Sequence, residues 1–309
     1  MTRARSILLA LLVLSVAPFT PAQTSGDADD TRPYGALLLK KAGADARSRS
    51  AAATVLSDSR PKIVGGETAE IVDFPWVVGL VYLVQNRPKQ YCAGTLIRSQ
   101  WVLTAAHCAL QETDLVVWGT NDISKGLATA ARILCFVRAE AFDSTTFDHD
   151  VALIRLDRSL PVAPIGRAAS STYEITHGHP IRIVGWGRTD PQDPASLSNL
   201  LLKARVDSSD FADCGSIYGA TPDMVITSTM FCAHSNGVAT CIGDSGGPAL
   251  RPEEQADGKT TYTLLGIISW GQDCTQKKWP GVYTRVGEIE EFISQHLLPA
   301  RQCQQRRDT

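Results

Sequence analysis

Ser245 is the residue whose surroundings most suggest chemistry. It lies in the run Cys241-Ile242-Gly243-Asp244-Ser245-Gly246-Gly247-Pro248. A serine hydroxyl is a poor nucleophile, so an enzyme that uses one supplies a base and N–H groups for the developing oxyanion. Glycines beside the serine let the backbone turn such N–H groups toward a reacting carbonyl. By itself the run is equally typical of a simple turn, so the other segments of the chain must decide.

Two further segments carry the remaining groups of a catalytic serine site. His107 ends an apolar run in Thr104-Ala105-Ala106-His107-Cys108, and Asp150 precedes the apolar stretch 151–154. An imidazole base and a carboxylate that orients it would complete a triad. The three motifs and their order (His107, Asp150, Ser245) resemble the chymotrypsin/trypsin family of serine proteases. A lipase-type hydrolase fits less well, because the Gly-x-Ser-x-Gly motif is missing.

The resemblance assigns a role to each of these residues. Ser245 would attack the scissile carbonyl after His107 removes its proton, and Asp150 would orient His107. The N–H groups of Gly243 and Ser245 would form the oxyanion hole. Protein or peptide substrates are the implied partners, together with protein inhibitors of such enzymes.

The resemblance also locates the substrate pocket, with Ala239 at its floor, six residues before the nucleophile. Family members that cleave after Arg or Lys have an aspartate at the floor, which Ala239 cannot replace. An open, uncharged pocket favours large apolar side chains, because apolar burial is then the main gain. Specificity for Arg or Lys stays an alternative if the loop register differs. The implied pocket residues are Ala239, Thr240, Ser269, Trp270, Gly271 and Gly281, and Ser269 also resembles the family serine that supports the triad aspartate.

The segment Arg60-Pro61-Lys62-Ile63-Val64-Gly65-Gly66 resembles the activation junction of the family. Cleavage after Lys62 would free the α-amino group of Ile63. The resemblance implies that this ammonium pairs with Asp244, and a buried carboxylate does need such a partner. We therefore expect a zymogen that is activated by a protease of trypsin-like specificity.

The chain before this junction differs in kind from the chain after it. Residues 1–22 resemble a secretory signal, with Arg3 and Arg5 before a short apolar core, so we expect a secreted, extracellular protein. Residues 23–62 are polar and have little to bury, which is typical of a propeptide. We expect the protease domain over 63–298 and a C-terminal tail over 299–309.

From residue 74 onward, short apolar runs are broken by Gly, Asn, Asp and Pro, which predicts an all-β chain. The runs are Trp76–Val84, Gly94–Leu103, Ile133–Val137, Val151–Leu156 and Ile181–Gly185. Ile289, Phe292, Ile293 and Leu297 recur at helical spacing and predict a C-terminal α-helix. The resemblance implies two six-stranded antiparallel β-barrels with the active site between them. The polar stretch 163–177 is the expected seam.

Eight cysteines in an exported chain favour disulfides over metal ligation. The resemblance implies three bridges: Cys92–Cys108, Cys214–Cys232 and Cys241–Cys274. Cys135 and Cys303 are left over. We expect them to pair and to pin the C-terminal helix to the first barrel, although Cys303 could instead stay free or bond another chain.

Composition excludes several other classes of function. The 309 residues carry a net charge of −2, which offers no basic excess for nucleic acid, and no later stretch predicts a membrane anchor. Thr120 and Asp122 offer too few oxygen ligands for the calcium loop of the family, and Pro280 differs from the tyrosine of its sodium-regulated members. We expect no cofactor, no metal and a monomer. The rival hypothesis is a non-catalytic homologue that works as a secreted binding or inhibitory protein.

Overall fold

The computed structural model describes residues 63–167, 175–193, 195–219, 224–272, 274 and 279–297. All of these residues belong to one structural unit. The expected signal and propeptide segments, the tail and half of the expected seam lie outside the described residues. Their predicted boundaries therefore stay predictions.

Fourteen strands account for most of the described fold, together with two α-helices and three 3-10 turns. The strands are β1 Glu67–Thr68, β2 Val77–Val84, β3 Arg87–Arg98, β4 Trp101–Thr104, β5 Leu115–Val117, β6 Ala130–Arg138, β7 Ala152–Leu156, β8 Gly166–Arg167, β9 Pro180–Gly185, β10 Leu202–Ser208, β11 Met230–His234, β12 Pro248–Glu254, β13 Thr260–Trp270 and β14 Gly281–Arg285. The helices are α1 Phe211–Tyr218 and α2 Glu290–Leu297, and the 3-10 turns are Ala106–Cys108, Ile123–Thr129 and Val286–Ile289.

The first barrel closes six antiparallel strands in the order β2-β3-β4-β7-β6-β5, with β5 returning to β2. Its inward side chains are mainly aliphatic, among them Leu80, Leu96, Leu103 and Leu153, none of which exposes measurable surface. Closure removes every free sheet edge, and the enclosed apolar side chains supply the main stabilisation.

The second barrel closes β9, β10, β11, β14, β13 and β12 in that order, and β12 pairs back onto β9. Two short strands lie outside this ring: β1 pairs with β10, and β8 pairs with β13 in parallel. The predicted fold class, two six-stranded antiparallel barrels with a C-terminal α-helix, is therefore confirmed.

Two details differ from the sequence-based expectation. The run Gly94–Leu103 was predicted as one strand, but β3 ends at Arg98 and β4 begins at Trp101, because Ser99 and Gln100 form a turn. Helix α1 was not predicted. Its sequence Phe-Ala-Asp-Cys-Gly-Ser-Ile-Tyr buries only Cys214 and Tyr218, so it shows little apolar periodicity.

Strand register brings the candidate residues to the facing ends of the two barrels. Thr104 of β4 pairs with Ala152 of β7, so the chain leaving β4 toward His107 meets the chain entering β7 from Asp150. In the second barrel, β12 begins three residues after Ser245. Its neighbour β13 ends at Trp270, just after Ser269.

Candidate active site

His107 and Asp150 are buried and are joined by two hydrogen bonds. The imidazole Nδ1 lies 2.7 Å from Asp150 Oδ2, and the backbone N–H of His107 donates to Asp150 Oδ1 over 2.9 Å. Asp150 exposes no surface and His107 exposes 6%. Since one carboxylate oxygen contacts Nδ1, the ring is oriented with its other nitrogen, Nε2, on the opposite side.

The second barrel holds Asp150 through two hydroxyl groups. Ser269 Oγ donates to Asp150 Oδ2 over 2.5 Å, and Thr284 Oγ1 donates to the backbone carbonyl of Asp150 over 3.0 Å. The carboxylate itself therefore has three donors within the protein, from Ser269 and from the ring and backbone of His107. These three bonds satisfy a carboxylate that is fully removed from water, and they fix its orientation toward His107.

Ser245 lies in a turn that packs against the His107 segment. The backbone carbonyl of Ser245 accepts the N–H of Ala93 over 2.7 Å. At the next residue, Gly246, an added Cβ would lie 2.1 Å from Thr104 Oγ1, which places this turn directly beside the end of β4. Gly246 has φ +80°, so glycine meets both the steric and the conformational demand at this position.

His107 Nε2 is buried and has no hydrogen-bond partner among the described residues. A buried nitrogen with no partner is unfavourable unless a ligand or a reacting group uses it. In the triad interpretation, this is the atom that receives the proton of Ser245.

Asp244 is completely buried between two backbone donors. Gly187 N–H donates to Oδ1 over 2.8 Å, and Cys241 N–H donates to Oδ2 over 3.0 Å. Burial raises the pKa of Asp244 to about 7, although both hydrogen bonds act in the opposite direction. The two donors therefore do not compensate for the loss of hydration, and a positive charge would be needed to stabilise the carboxylate.

Ile63 lies in the core of the second barrel and exposes no surface. The turn that it starts is bonded to the segment preceding the nucleophile, since Ala239 N–H donates to the Val64 carbonyl over 3.1 Å. The close fit continues at Gly65, where an added Cβ would lie 2.0 Å from the carbonyl oxygen of Gly237. The predicted activation segment is thus hydrogen-bonded to Ala239, the residue predicted at the pocket floor.

Gly243, the predicted oxyanion residue, has φ +99° and is held by Gln90. Gln90 Nε2 donates to the Gly243 carbonyl over 2.6 Å and to the Cys92 carbonyl over 2.9 Å. A cavity of about 510 Å³ opens beside this contact. Its lining includes Gln90, Lys89 and Leu197, and Leu197 also packs against Gly243.

Of the other predicted pocket residues, Thr240 lies directly beside Gly281. A Cβ added at Gly281 would lie 3.0 Å from the Tyr283 hydroxyl oxygen and 3.3 Å from Thr240 Oγ1. Ala239 exposes 5% of its surface and carries no charge. Trp270 exposes 4% and stacks edge-on against Tyr218, with ring centroids 4.8 Å apart. Gly271 comes directly after Trp270 and is partly exposed.

Three of the four predicted disulfides are present. The Cα–Cα distances are 6.2 Å for Cys92–Cys108, 6.1 Å for Cys214–Cys232 and 5.2 Å for Cys241–Cys274. Cys135 is also disulfide-bonded, but its predicted partner Cys303 lies outside the described residues. That pairing stays a prediction.

Sequence reasoning missed several residues that support the site. Gln90, Tyr283 and Thr284 were not singled out, because a lone polar side chain in a strand carries no distinctive pattern. Phe147, whose ring centroid lies 5.5 Å from that of His107 and 6.4 Å from that of Trp270, was also missed. Its proximity to the predicted Asp150 was the one available signal.

In the loop that corresponds to the calcium site of the family, the carboxylate of Asp122 bonds to neighbouring residues of the same loop. Asp122 accepts the N–H of Ser124 and pairs with Lys125 over 2.9 Å. The Ser124 and Lys125 hydrogen bonds hold the pKa of Asp122 below its usual value. Within the described ranges, Cys92, His107 and Cys108 form the one group with metal-ligand spacing, but both sulfur atoms are joined in a disulfide.

Comparison with known proteins gives a consistent result. The family model described as Trypsin matches residues 63–293. Transmembrane protease serine 9 of Rattus norvegicus is 35% identical over 247 residues, covering 76% of this chain and 22% of the relative. Ovochymase of Halocynthia roretzi is 31% identical over 262 residues, covering 78% of this chain and 16% of the relative. The suppressor of tumorigenicity 14 protein homolog of Bos taurus is 32% identical over 254 residues, covering 76% of this chain and 28% of the relative.

The chain therefore spans less than a third of the length of these relatives. Some relatives are transmembrane proteases by name. Of the helices in the described residues, none has the length and apolar character needed to cross a bilayer.

Proposed function

Because the chain belongs to the trypsin family of serine proteases, we propose that it is a serine endopeptidase that hydrolyses peptide bonds through His107, Asp150 and Ser245. The observation that carries this proposal is the buried His107–Asp150 pair, 2.7 Å apart, whose free Nε2 lies on the side away from the carboxylate. The Ser245 turn packs beside it. Ser245 attacks the carbonyl, His107 takes its proton and returns it to the leaving amine, and Asp150 stabilises the imidazolium.

The tetrahedral oxyanion is received by the N–H groups of Gly243 and Ser245. The left-handed backbone at Gly243 and its bond to Gln90 support this role, because a fixed donor needs no reorganisation when the charge develops.

The proposed specificity is for large apolar side chains at the cleaved bond. Ala239 is buried and uncharged, and Gly281 adds no side chain beside Thr240 and Tyr283. Burial of a Phe side chain in such a pocket contributes about 1.5–3 kcal/mol. An Arg or Lys would lose its hydration there without gaining a carboxylate partner.

The enzyme is proposed to be a zymogen that another protease activates by cutting after Lys62. Asp244 supports this, since its pKa of about 7 indicates a buried carboxylate that a nearby cation would stabilise. The α-ammonium of Ile63 would supply that cation from a segment already packed against Ala239. Lys62 fits an uncharged pocket poorly, so activation is not by the enzyme itself.

Secretion is proposed from the cysteine chemistry. Three disulfides between described residues require an oxidising compartment for their formation. The expected signal over residues 1–22 is consistent with export.

The experiment is an assay of purified protein before and after brief trypsin treatment, with the trypsin then inhibited. Matched peptide substrates carry Phe or Arg at the cleaved bond, and Ser245→Ala is the control variant. We expect hydrolysis only after the cut, with Phe preferred and with Ser245→Ala inactive. Preference for Arg would keep the protease but refute the pocket assignment. Inactivity of the wild type with a verified Ile63 N-terminus would favour a non-catalytic binding protein.

A further inference from the structure

The loop that carries Asp150 has an unusual backbone on either side of Asp148. Phe147 has φ +62° and His149 has φ +52°, and neither is a glycine. Residues with a Cβ rarely adopt this left-handed conformation, which is less stable by roughly 1–2 kcal/mol per residue. Such a conformation persists only where surrounding contacts enforce it. The loop must therefore be held from outside.

Backbone hydrogen bonds join Phe147 N–H to the Asp143 carbonyl and Asp143 N–H to the Asp148 carbonyl, and one carboxylate oxygen of Asp148 ties the loop to a distant segment. Asp148 Oδ1 accepts the hydroxyl of Thr227 over 2.7 Å, the hydroxyl of Thr229 over 2.5 Å and the backbone N–H of His149 over 3.0 Å. The other oxygen, Oδ2, lies 3.3 Å from His149 Nδ1. Burial would raise the pKa of Asp148, but the hydrogen bonds from Thr229 and Thr227 and the neighbouring His149 outweigh it and hold the pKa below its usual value.

The two threonines belong to the other barrel. Thr227 and Thr229 lie in the segment that enters β11, whereas Asp148 precedes β7 of the first barrel. Thr229 is nearly buried, with 6% of its surface exposed, and its backbone carbonyl accepts the N–H of Arg285 over 2.7 Å. The backbone that carries the Thr229 hydroxyl is therefore held by β14 of the second barrel.

Asp150 lies close to this attachment along the chain. Asp150 is only two positions beyond the bonded carboxylate, and the Val151 N–H donates to the His149 carbonyl over 2.8 Å, so the turn between them is tight. A change in φ at His149 would rotate the Asp150 carboxylate away from His107. Ser269 and Thr284 fix Asp150 itself, but they do not restrain the backbone before it.

We propose that Asp148 is a positioning residue for the triad: its carboxylate, bonded to Thr227 and Thr229 of the second barrel, fixes the backbone of His149 and so aligns Asp150 with His107. The proposal rests on the proposed protease activity, because it concerns the rate of the same reaction.

The test compares activated Thr227→Val/Thr229→Val, Asp148→Ala and Asp148→Asn with the activated wild type. The double valine variant keeps the charge of Asp148 and removes its two hydroxyl donors, leaving the His149 N–H in place. Asn keeps an acceptor oxygen and removes the charge. Thr260→Val/Thr261→Val is the matched control, since these hydroxyls lie at the far end of the β12–β13 hairpin. Concentrations of active enzyme are set by titration with a fluorophosphonate, so unfolded protein does not enter the rates.

We expect kcat to fall about tenfold to a hundredfold in the double valine and alanine variants with little change in KM, because misplaced groups lower the rate of the chemical step. Asp148→Asn should lie within about fivefold of the wild type, since one oxygen can still accept both hydroxyls. In the double valine variant the acid limb of kcat/KM should also move to lower pH, because Asp150 stabilises the imidazolium of His107 less well.

Variants that unfold at lower temperature but keep the wild-type kcat and acid limb would refute the positioning role and leave a structural one. Asp148→Asn as slow as Asp148→Ala would also refute it, because charge rather than hydrogen bonding would then matter. An inactive wild type would instead refute the proposed function itself.

Discussion

The buried carboxylate of Asp244 predicts a pH dependence of stability that cleavage after Lys62 abolishes. In the uncut chain burial raises the pKa of Asp244 from 3.8 to about 7. The folded chain then binds this proton more tightly than the unfolded chain does. Its stabilising effect is therefore complete below about pH 4 and is lost as the pH rises through 7. Over the whole pH range, this difference between the folded and unfolded pKa of Asp244 lowers the free energy of unfolding by roughly 4 kcal/mol.

Cleavage should remove this loss, because the new ammonium of Ile63 keeps Asp244 ionised and paired. The perturbation is cutting after Lys62 in a Ser245→Ala background, which prevents self-digestion. The free energy of unfolding is measured by urea titration at pH 5 and at pH 8, before and after the cut. Between pH 5 and pH 8, ionisation of Asp244 should lower the free energy of unfolding of the uncut protein by about 2.5 kcal/mol. The uncut protein should lose this amount relative to the cut protein.

Other groups titrate over the same range, so the uncut Asp244→Asn variant is the control. It keeps every other carboxylate and imidazole but cannot ionise at residue 244. Its pH dependence should be weaker than that of the uncut Asp244 protein by about 2.5 kcal/mol. Equal pH dependence in the cut and uncut proteins would refute the reasoning, because Asp244 would then have no need of the ammonium.

Three further predictions concern specificity and the oxyanion turn. Ala239→Asp should raise kcat/KM for Arg substrates relative to Phe substrates by at least about a hundredfold, because it gives the pocket floor a charge that pairs with Arg; an unchanged Phe/Arg ratio would show that residue 239 is not the floor. Gly281→Val should lower kcat/KM for Phe substrates at least about tenfold, since its Cβ alone would lie 3.0 Å from the Tyr283 hydroxyl. Substrates with the small Ala side chain at the cleaved bond should lose less. An equal fall of kcat/KM for Ala and Phe substrates would contradict the assignment of Gly281 to the pocket. Gln90→Leu should lower kcat about tenfold by releasing the Gly243 carbonyl, and a change in KM alone would place Gln90 in substrate binding instead.

Local signals predicted an all-β chain with a C-terminal helix, and the family resemblance supplied the two barrels and the candidate triad. The motifs around His107, Asp150 and Ser245 are short and contiguous, and the apolar runs of the barrels alternate with turn residues. The pairing of three disulfides came from the same family resemblance. Strand ends were less accessible, since Ser99 and Gln100 interrupt an apolar run with a turn that neither Gly nor Pro marks.

The supporting contacts could not be predicted because they join residues distant in the chain. Gln90 and Gly243 are 153 positions apart, and Asp148 and Thr229 are 81 positions apart. The left-handed backbone at Phe147 and His149 was also hidden, because tertiary contacts enforce it against the local preference of these residues.

The most direct test of the central claim is the site of labelling by a fluorophosphonate, mapped by mass spectrometry before and after cleavage at Lys62. The proposed mechanism requires an activated hydroxyl that forms only when Ile63 is free to pair with Asp244. We predict stoichiometric labelling at Ser245 in the cut protein, little labelling in the uncut protein, and none in a cut His107→Ala variant. Absence of label on Ser245 in protein with a verified Ile63 N-terminus would contradict the assignment of this chain as a working serine protease.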